Sequence, residues 1–218
     1  EGSVDRWVDK SGNGRDAVAT DPALRPLFVE ADPDANGLSV VRFVGDNDRL
    51  ELPNLSELGL GSITTVQEVN DSRWMMLTSS ASNWWWYAIG NNSDGSGVNN
   101  SSGTPSFTLD GAQVAFANRD QVHDGMANRA SILTAENLDF TRATQPWLGA
   151  NYGGGWNFTG DIREVVITDD TLDAADRQAL EGYLAQKWGT LDTLPADHPY
   201  LAAAPLQMAA TGILMQGG

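Results

Sequence analysis

The amino-acid sequence predicts an all-β fold of two packed antiparallel sheets that ends with one short helix. Three observations support this: many Gly and Pro residues (23 and 9) at polar turns, short β-branched or aromatic runs, and one capped amphipathic segment near the end. The 218 residues suit one large sandwich. A chain of this size buries roughly 70% of its unfolded surface, so it does not depend on disulfides, and it contains no Cys.

The predicted strands are separated by polar, Gly-containing loops at residues 91–104, 118–125 and 151–157. The last predicted strand is a β-branched run that alternates around Arg163 and Glu164. The complete set of predicted strands comprises residues 40–44, 49–52, 62–69, 73–78, 84–89, 106–109, 113–117, 147–149 and 162–168.

A helix is predicted to begin after Asp173, because this side chain can accept a hydrogen bond from the amide of Asp176. Asp176 can reach back in turn, as in an acidic variant of the capping box. Gly189 is a typical C-terminal stop. Apolar residues at helical spacing form one face of this helix: Leu180, Tyr183, Leu184 and Trp188.

Segments at the two ends of the chain carry a family resemblance. Residues 160–200, GDIREVVITDDTLDAADRQALEGYLAQKWGTLDTLPADHPY, resemble the closing module of bacterial laminin-G-like domains of the concanavalin A-like lectin/glucanase superfamily. Residues 7–17 (WVDKSGNGRDA) and 36–53 (NGLSVVRFVGDNDRLELP) resemble the opening of the same family. The resemblance implies an antiparallel jelly-roll sandwich over residues 1–200, with 201–218 as a tail or linker to a following domain. This superfamily contains lectins, enzymes, adhesins and spacers, so the fold does not set the function.

Charge restricts the class of partner. Thirteen Lys and Arg against 29 Asp and Glu give a net charge of −16, which disfavours nucleic acid and anionic membrane surfaces. The sequence has neither a leader pattern nor a run apolar enough to insert into a membrane. We therefore expect a domain of a longer secreted or cell-surface protein, with flanking domains in the same chain.

The run Trp84-Trp85-Trp86-Tyr87 is the most unusual local feature. On a strand, Trp84 and Trp86 point to one face and the other two rings to the opposite face. Exposed rings on one face suit stacking against the apolar face of a sugar, whereas a curved sheet under long loops could bury all four. The pattern does not decide which pair is exposed, although the position of Trp84 at the strand end favours the first pair.

Polar and aromatic loop residues extend this candidate site. Asn91, Asn92 and Asp94 follow the aromatic strand, where amides and carboxylates can bind sugar hydroxyls or calcium, or simply hold a turn. Tyr152 and Trp156 flank three glycines and can form an aromatic lip, although Trp156 can equally plug the space beneath its loop.

Catalysis is not predicted. Asp46, Asp48 and Glu51 form D-x-D-x-x-E, which is similar to the strand motif of laminarinase-type glucanases but lacks its first Glu. A retaining pair needs two carboxyl groups about 5–5.5 Å apart on one face, whereas this segment is predicted to be a turn that leads into a strand. With no Cys and only His123 and His198, the sequence also disfavours a histidine-based triad or a transition-metal site.

Calcium is predicted because the chain is acidic and because the resemblance implies a structural ion between the N-terminal segment and the last strands. Asp161, just before the last predicted strand, is the preferred ligand, with Asp9 or Asp16 as its neighbour. A rival site contains Asp46 and Asp48. A third option combines Asp120 with Asp124.

These observations predict a non-catalytic, calcium-dependent, lectin-like module of an adhesin that binds glycans or cell-surface polysaccharide. The alternative is a structural spacer or a protein- or peptide-binding module, in which the aromatic residues at 84–87 are buried. A glycoside hydrolase is the least favoured prediction.

Overall fold

Two antiparallel sheets pack face to face in the computed structural model of the chain. The structure describes residues 2–45, 47–70, 77–79, 85–87, 104–151, 157–202 and 213–216, with 79, 85–87 and 213–216 described by backbone alone. In chain order the strands are β1 (Gly2–Ser3), β2 (Arg6–Trp7), β3 (Ala17–Val18), β4 (Leu27–Asp32), β5 (Leu38–Val44), β6 (Leu50–Glu51), β7 (Leu60–Val69), β8 (Leu77–Ser79), β9 (Trp85–Tyr87), β10 (Ser106–Leu109), β11 (Ala112–Val114), β12 (Ala130–Asp139), β13 (Pro146–Leu148), β14 (Thr159–Thr168) and β15 (Ile213–Gln216). The helices are α1 (Arg119–Met126) and α2 (Ala174–Trp188), and neither is long and apolar enough to cross a membrane.

The chain moves repeatedly between the two sheets. Within the described residues, the larger sheet has nine strands in the order β1-β4-β5-β14-β7-β12-β10-β11, with β15 also paired to β14. The smaller sheet has six strands in the order β2-β3-β6-β13-β8-β9. Strands β5 to β8 and β12 to β14 alternate between the sheets, as is typical of a jelly-roll sandwich. The predicted fold class is therefore confirmed.

The main core lies between the sheets and is closed at one side by α1. Asn118 caps this helix by accepting a hydrogen bond from the amide of Gln121. Val122 and Met126, one helical turn apart, are fully buried in the same cluster as the inward residues of both sheets. Inward residues of the two sheets include Val41, Phe43, Leu50, Ile63, Leu77, Leu133, Leu148, Ile162, Val165 and Ile167.

A second apolar cluster joins α2 to the outer face of the larger sheet. The helix begins as predicted, with Asp173 accepting from the amides of Ala175 and Asp176. It ends at Gly189, whose φ of 72° is left-handed. The predicted apolar face is confirmed. The second cluster contains Leu180, Leu184, Ala185 and Trp188 from the helix, with Val40, Val66, Ile132 and Val166 from the sheet.

Polar contacts fix the orientation of this helix on strand β14. The indole Nε1 of Trp188 donates to Glu164 Oε2 at 2.6 Å, and Lys187 Nζ donates to the same oxygen at 3.0 Å. Glu164 is fully buried, so these charge-assisted hydrogen bonds offset its loss of hydration.

Every predicted strand overlaps an observed strand, one predicted loop is wrong, and several observed strands, among them β4 and β12, were not predicted. Residues 118–125 were expected to form a polar loop and instead contain α1, because a capped turn buries one apolar side. Strand β12 was not predicted because it is buried on both faces and therefore lacks the usual alternation. Residues 213–216 of the expected tail pair with β14 as β15.

We predict that Trp188→Ala lowers the free energy of unfolding by about 3–5 kcal/mol, since it creates a cavity and removes a donor from a buried carboxylate. Urea titration followed by circular dichroism measures the change. Trp188→Phe keeps most of the ring volume and should lose less. An unchanged midpoint in Trp188→Ala would contradict this account of α2.

Candidate functional site: a groove on the smaller sheet

A row of side chains crosses the outer face of the smaller sheet. Pairing places Arg6 opposite Val18, Val18 opposite Glu51, Glu51 opposite Trp147, and Trp147 opposite Thr78. Residues paired in this way point to the same face of a sheet. Their sequence neighbours Trp7, Ala17, Leu50, Leu148 and Leu77 point into the core.

A groove of about 520 Å³ follows this row. Its size lies within the range of small-ligand sites, roughly 300–1,000 Å³. The groove combines one aromatic ring and aliphatic side chains with carboxylate, amide and hydroxyl groups. The lining residues are Asp16, Val18, Glu51, Leu52, Pro53, Asn54, Thr144, Gln145 and Trp147.

Arg49 holds the aromatic ring of the groove in place. Its guanidinium carbon lies 4.0 Å from the centroid of the Trp147 ring, which is the geometry of a cation–π contact. The Nε of Arg49 also lies 4.0 Å from a carboxylate oxygen of Glu51. Trp147 is half-buried, so part of the ring remains available at the groove wall.

The carboxylate of Asp16 links one wall of the groove to the loop at residues 9–16. It accepts from the amide of Asp9 at 2.9 Å and from Arg6 Nη1 at 3.1 Å. Asp9 in turn accepts from the amides of Ser11 and Arg15 and from the Ser11 hydroxyl. Asp9, proposed above as a calcium ligand, therefore folds the loop that carries Asp16.

Most of the predicted sugar-binding residues lie outside the described residues. These are Trp84, Asn91, Asn92, Asp94, Tyr152 and Trp156, whereas Trp86 is described in β9 by its backbone. The pairing register places Trp85 of β9 opposite Thr78, so the backbone of the aromatic strand continues the row that contains Trp147. Strand β9, which contains Trp86, and the groove thus lie on the same sheet.

The preferred calcium ligand, Asp161, is engaged in an ion pair. Arg42 donates from Nε to one carboxylate oxygen at 2.6 Å and from Nη2 to the other at 2.7 Å. Nη2 of Arg42 also donates to Asp32 at 2.9 Å. The two carboxylates raise the pKa of the Arg42 guanidinium, and the largest cause is the hydrogen bond that Arg42 donates to Asp161. Asp161 lies in β14 of the larger sheet, whereas Asp9 follows β2 of the smaller sheet and binds the loop at residues 9–16.

The other predicted acids divide between a turn and a helix. Asp48 is buried and accepts from the amide of Val44 at 2.8 Å, whereas Asp46 lies outside the described residues. Asp120 and Asp124 lie one turn apart on α1, and His123 Nδ1 is 3.3 Å from the Asp124 carboxylate. Across the described residues, no group of three or more His, Asp or Glu side chains is placed to hold a metal ion.

Asn157 closes the turn at residues 45–48 from the opposite strand. Its Nδ2 donates to the carbonyl of Gly45 at 2.9 Å and lies 3.3 Å from Asn47 Oδ1. Its own Oδ1 is buried and accepts no hydrogen bond from a described residue. Gly45 has a φ of 87°, and an added Cβ would lie 2.7 Å from the Thr159 hydroxyl, so the turn is tightly packed.

Sequence reasoning found two groove residues in other roles, Asp16 as a metal neighbour and Glu51 as a possible catalytic acid. It missed Trp147, although this residue lies in a predicted strand between two buried neighbours. The alternation of that short strand was the available signal, since it directs the Trp147 ring away from the core.

Comparison with models of known protein families found no match, and neither curated proteins nor solved structures matched the chain significantly. The resemblance to laminin-G-like domains therefore stays a prediction.

The ion pair predicts how Asp161→Ala behaves. The variant should lose about 1–3 kcal/mol of unfolding free energy equally in calcium and in chelator, because it breaks the bidentate contact to Arg42. Thermal melts in both buffers measure this. The exposed Asp169→Ala variant is the matched control and should melt like the parent protein. A loss confined to the calcium buffer would instead assign Asp161 to a metal site.

Proposed function

We propose that this protein is a non-catalytic carbohydrate-binding module that holds its ligand in the groove on the smaller sheet. The observation that carries this proposal is the half-buried Trp147 ring among carboxylate, amide and hydroxyl groups. A pyranose presents an apolar face and several hydroxyls, so an aromatic ring flanked by hydrogen-bonding groups complements it.

The groups around the ring match sugar hydroxyls in number and kind. Glu51 and Asp16 carry carboxylate acceptors, whereas Asn54 and Gln145 carry amides that both donate and accept. Thr144 adds a hydroxyl. A vicinal pair of sugar hydroxyls can therefore donate to one group while accepting from another.

Rigid placement supports affinity in this groove. Glu51 and Trp147 are neighbours on paired strands, and Arg49 contacts both side chains. Groups fixed before binding lose little conformational entropy when a ligand arrives. The −16 net charge favours neutral glycans over anionic ones.

A binding role fits the acidic groups better than catalysis. Asp48 accepts a hydrogen bond from the amide of Val44, whereas Glu51 lines the groove. These two acids of the D-x-D-x-x-E segment therefore do not act as one catalytic pair in this proposal. We place the module in a secreted or cell-surface protein, in keeping with its acidity.

Calcium remains part of the proposal at the turn of residues 45–48. Asn157 lies next to two oxygens, the carbonyl of Gly45 and Asn47 Oδ1. A half-turn of the Asn157 amide would direct its buried Oδ1 toward both, giving three of the roughly six to eight oxygen ligands that calcium takes. A bound ion there would hold the turn that precedes β6.

We predict that Trp147→Ala weakens glycan binding at least tenfold, because aromatic residues at the centre of a binding site typically contribute 2 kcal/mol or more. A glycan array identifies the ligand, and calorimetry then measures its affinity. Trp147→Phe should retain part of the affinity.

The matched control is Leu60→Ala, which removes an exposed apolar side chain from the other sheet and should bind normally. Unchanged binding by a folded Trp147→Ala protein would move the site away from the groove. If the parent protein binds no glycan on the array, the spacer or protein-binding alternative is favoured.

We predict that calcium raises the melting temperature of the parent protein and that Asn157→Ala loses this shift. At a calcium concentration one hundred times the dissociation constant, binding adds about 2.7 kcal/mol of stability. Melts in calcium and in chelator measure it, with Asp169→Ala as a control that keeps the shift. Identical melts of the parent in both buffers would remove calcium from the proposal.

A further inference from the structure

The closing segment, residues 190–201, returns over α2 and carries a buried histidine. His198 donates its backbone amide to the Pro195 carbonyl at 2.9 Å, and Gln186 of the helix donates to the Tyr200 carbonyl at 3.2 Å. Gly182 provides the space for this contact, since an added Cβ would lie 2.3 Å from the Cβ of Tyr200. The segment therefore fits the helix closely.

Glu181 of α2 lies beneath this segment, and its carboxyl group is buried. Its side chain is only 1% exposed, and neither carboxylate oxygen accepts a hydrogen bond from a described residue. The closest cationic or ring nitrogens are His198 Nε2 at 3.5 Å and Arg177 Nε at 3.7 Å. A buried carboxylate without hydrogen bonds is costly, so this environment favours the neutral acid.

Groups from three other elements surround Glu181. Arg177 Nη1 donates to both carboxylate oxygens of Glu136 in β12, at 3.2 and 3.4 Å. Glu136 therefore competes with Glu181 for this guanidinium. Asp110, in the turn between β10 and β11, binds Arg129 at 2.6 Å and the amide of Ile132 at 2.7 Å. Arg177 is thus shared between two carboxylates, and Asp110 adds further negative charge.

The histidine is held in its neutral form by the same geometry. His198 Nδ1 accepts from the backbone amide of Tyr200 at 3.4 Å, which leaves no room for a proton on Nδ1. A neutral ring then carries its proton on Nε2, facing Glu181. Burial lowers the pKa of His198, while the nearby Asp197 carboxylate opposes this effect. A proton entering the pair therefore goes to Glu181.

We propose that Glu181 is protonated in the folded protein at mildly acidic pH and that its ionisation, as the pH rises, lowers the stability of the folded protein. Ionisation places a third buried negative charge beside Glu136, which already binds Arg177, and Asp110, which already binds Arg129.

The pH range follows from the carboxyl group. Burial raises the pKa of Glu181 from 4.5 to about 7, with Glu136 and Asp110 acting in the same direction and Arg177 against them. The folded state therefore binds the proton more tightly than the unfolded state. This stabilisation is complete below pH 4.5 and is lost as the pH rises toward 7. His198 has the opposite effect in acid, which partly hides the trend in the parent protein.

Glu181→Gln isolates the carboxyl group, because glutamine imitates the neutral acid and cannot ionise. The folding equilibrium constant of this variant, divided by that of the parent, should rise roughly fifty- to a hundred-fold between pH 5 and pH 8. Urea titrations at both pH values measure the ratio. The exposed Glu30→Gln variant is the control, and its ratio should stay constant. A constant ratio for Glu181→Gln overturns the proposal.

One further measurement remains decisive if Glu181→Gln does not fold. Infrared spectroscopy of the parent protein should show a buried protonated carboxyl at pH 6 that disappears by pH 8. Absence of a protonated carboxyl at pH 6 overturns the proposal.

Discussion

The structure depends on burying strand β14 on both faces at once. Ile162, Val165 and Ile167 face the core between the sheets, whereas Glu164 and Val166 face α2. In a regular strand Ile162 and Glu164 would point to the same face, because side chains alternate. The β-bulge at Arg163 shifts the register, so the two side chains point to opposite faces. A carboxylate then lies under the helix, where Trp188 and Lys187 bind it.

The burial of β14 under α2 also determines which sheet face is open for the proposed groove. Helix α2 covers the outer face of the larger sheet, whereas α1 contributes to the core between the two sheets. The outer face of the smaller sheet carries Glu51 and Trp147, with Arg49 fixing both. The groove proposed to bind a ligand therefore lies on the sheet whose outer face neither α1 nor α2 covers, and that sheet also contains β9.

The sequence predicted the parts of the fold that depend on local signals. The cap at Asp173, the stop at Gly189 and the last strand are each set by residues close together in the chain. Strand β12 was not predicted, because the elements that bury its two faces are distant in sequence. The groove was not predicted for the same reason. Asp16, Glu51 and Trp147 meet only through the pairing of three separate strands, which no short motif encodes.

Asp9, Asp48 and Asp161 were each predicted as possible calcium ligands, and each accepts hydrogen bonds from the protein itself. Two of them bind backbone amides, and the third forms a bidentate ion pair. A carboxylate that already holds a turn or a strand must exchange those bonds for an ion, and this reduces the net gain from binding. A high net negative charge therefore does not by itself identify the carboxylates that hold a cation.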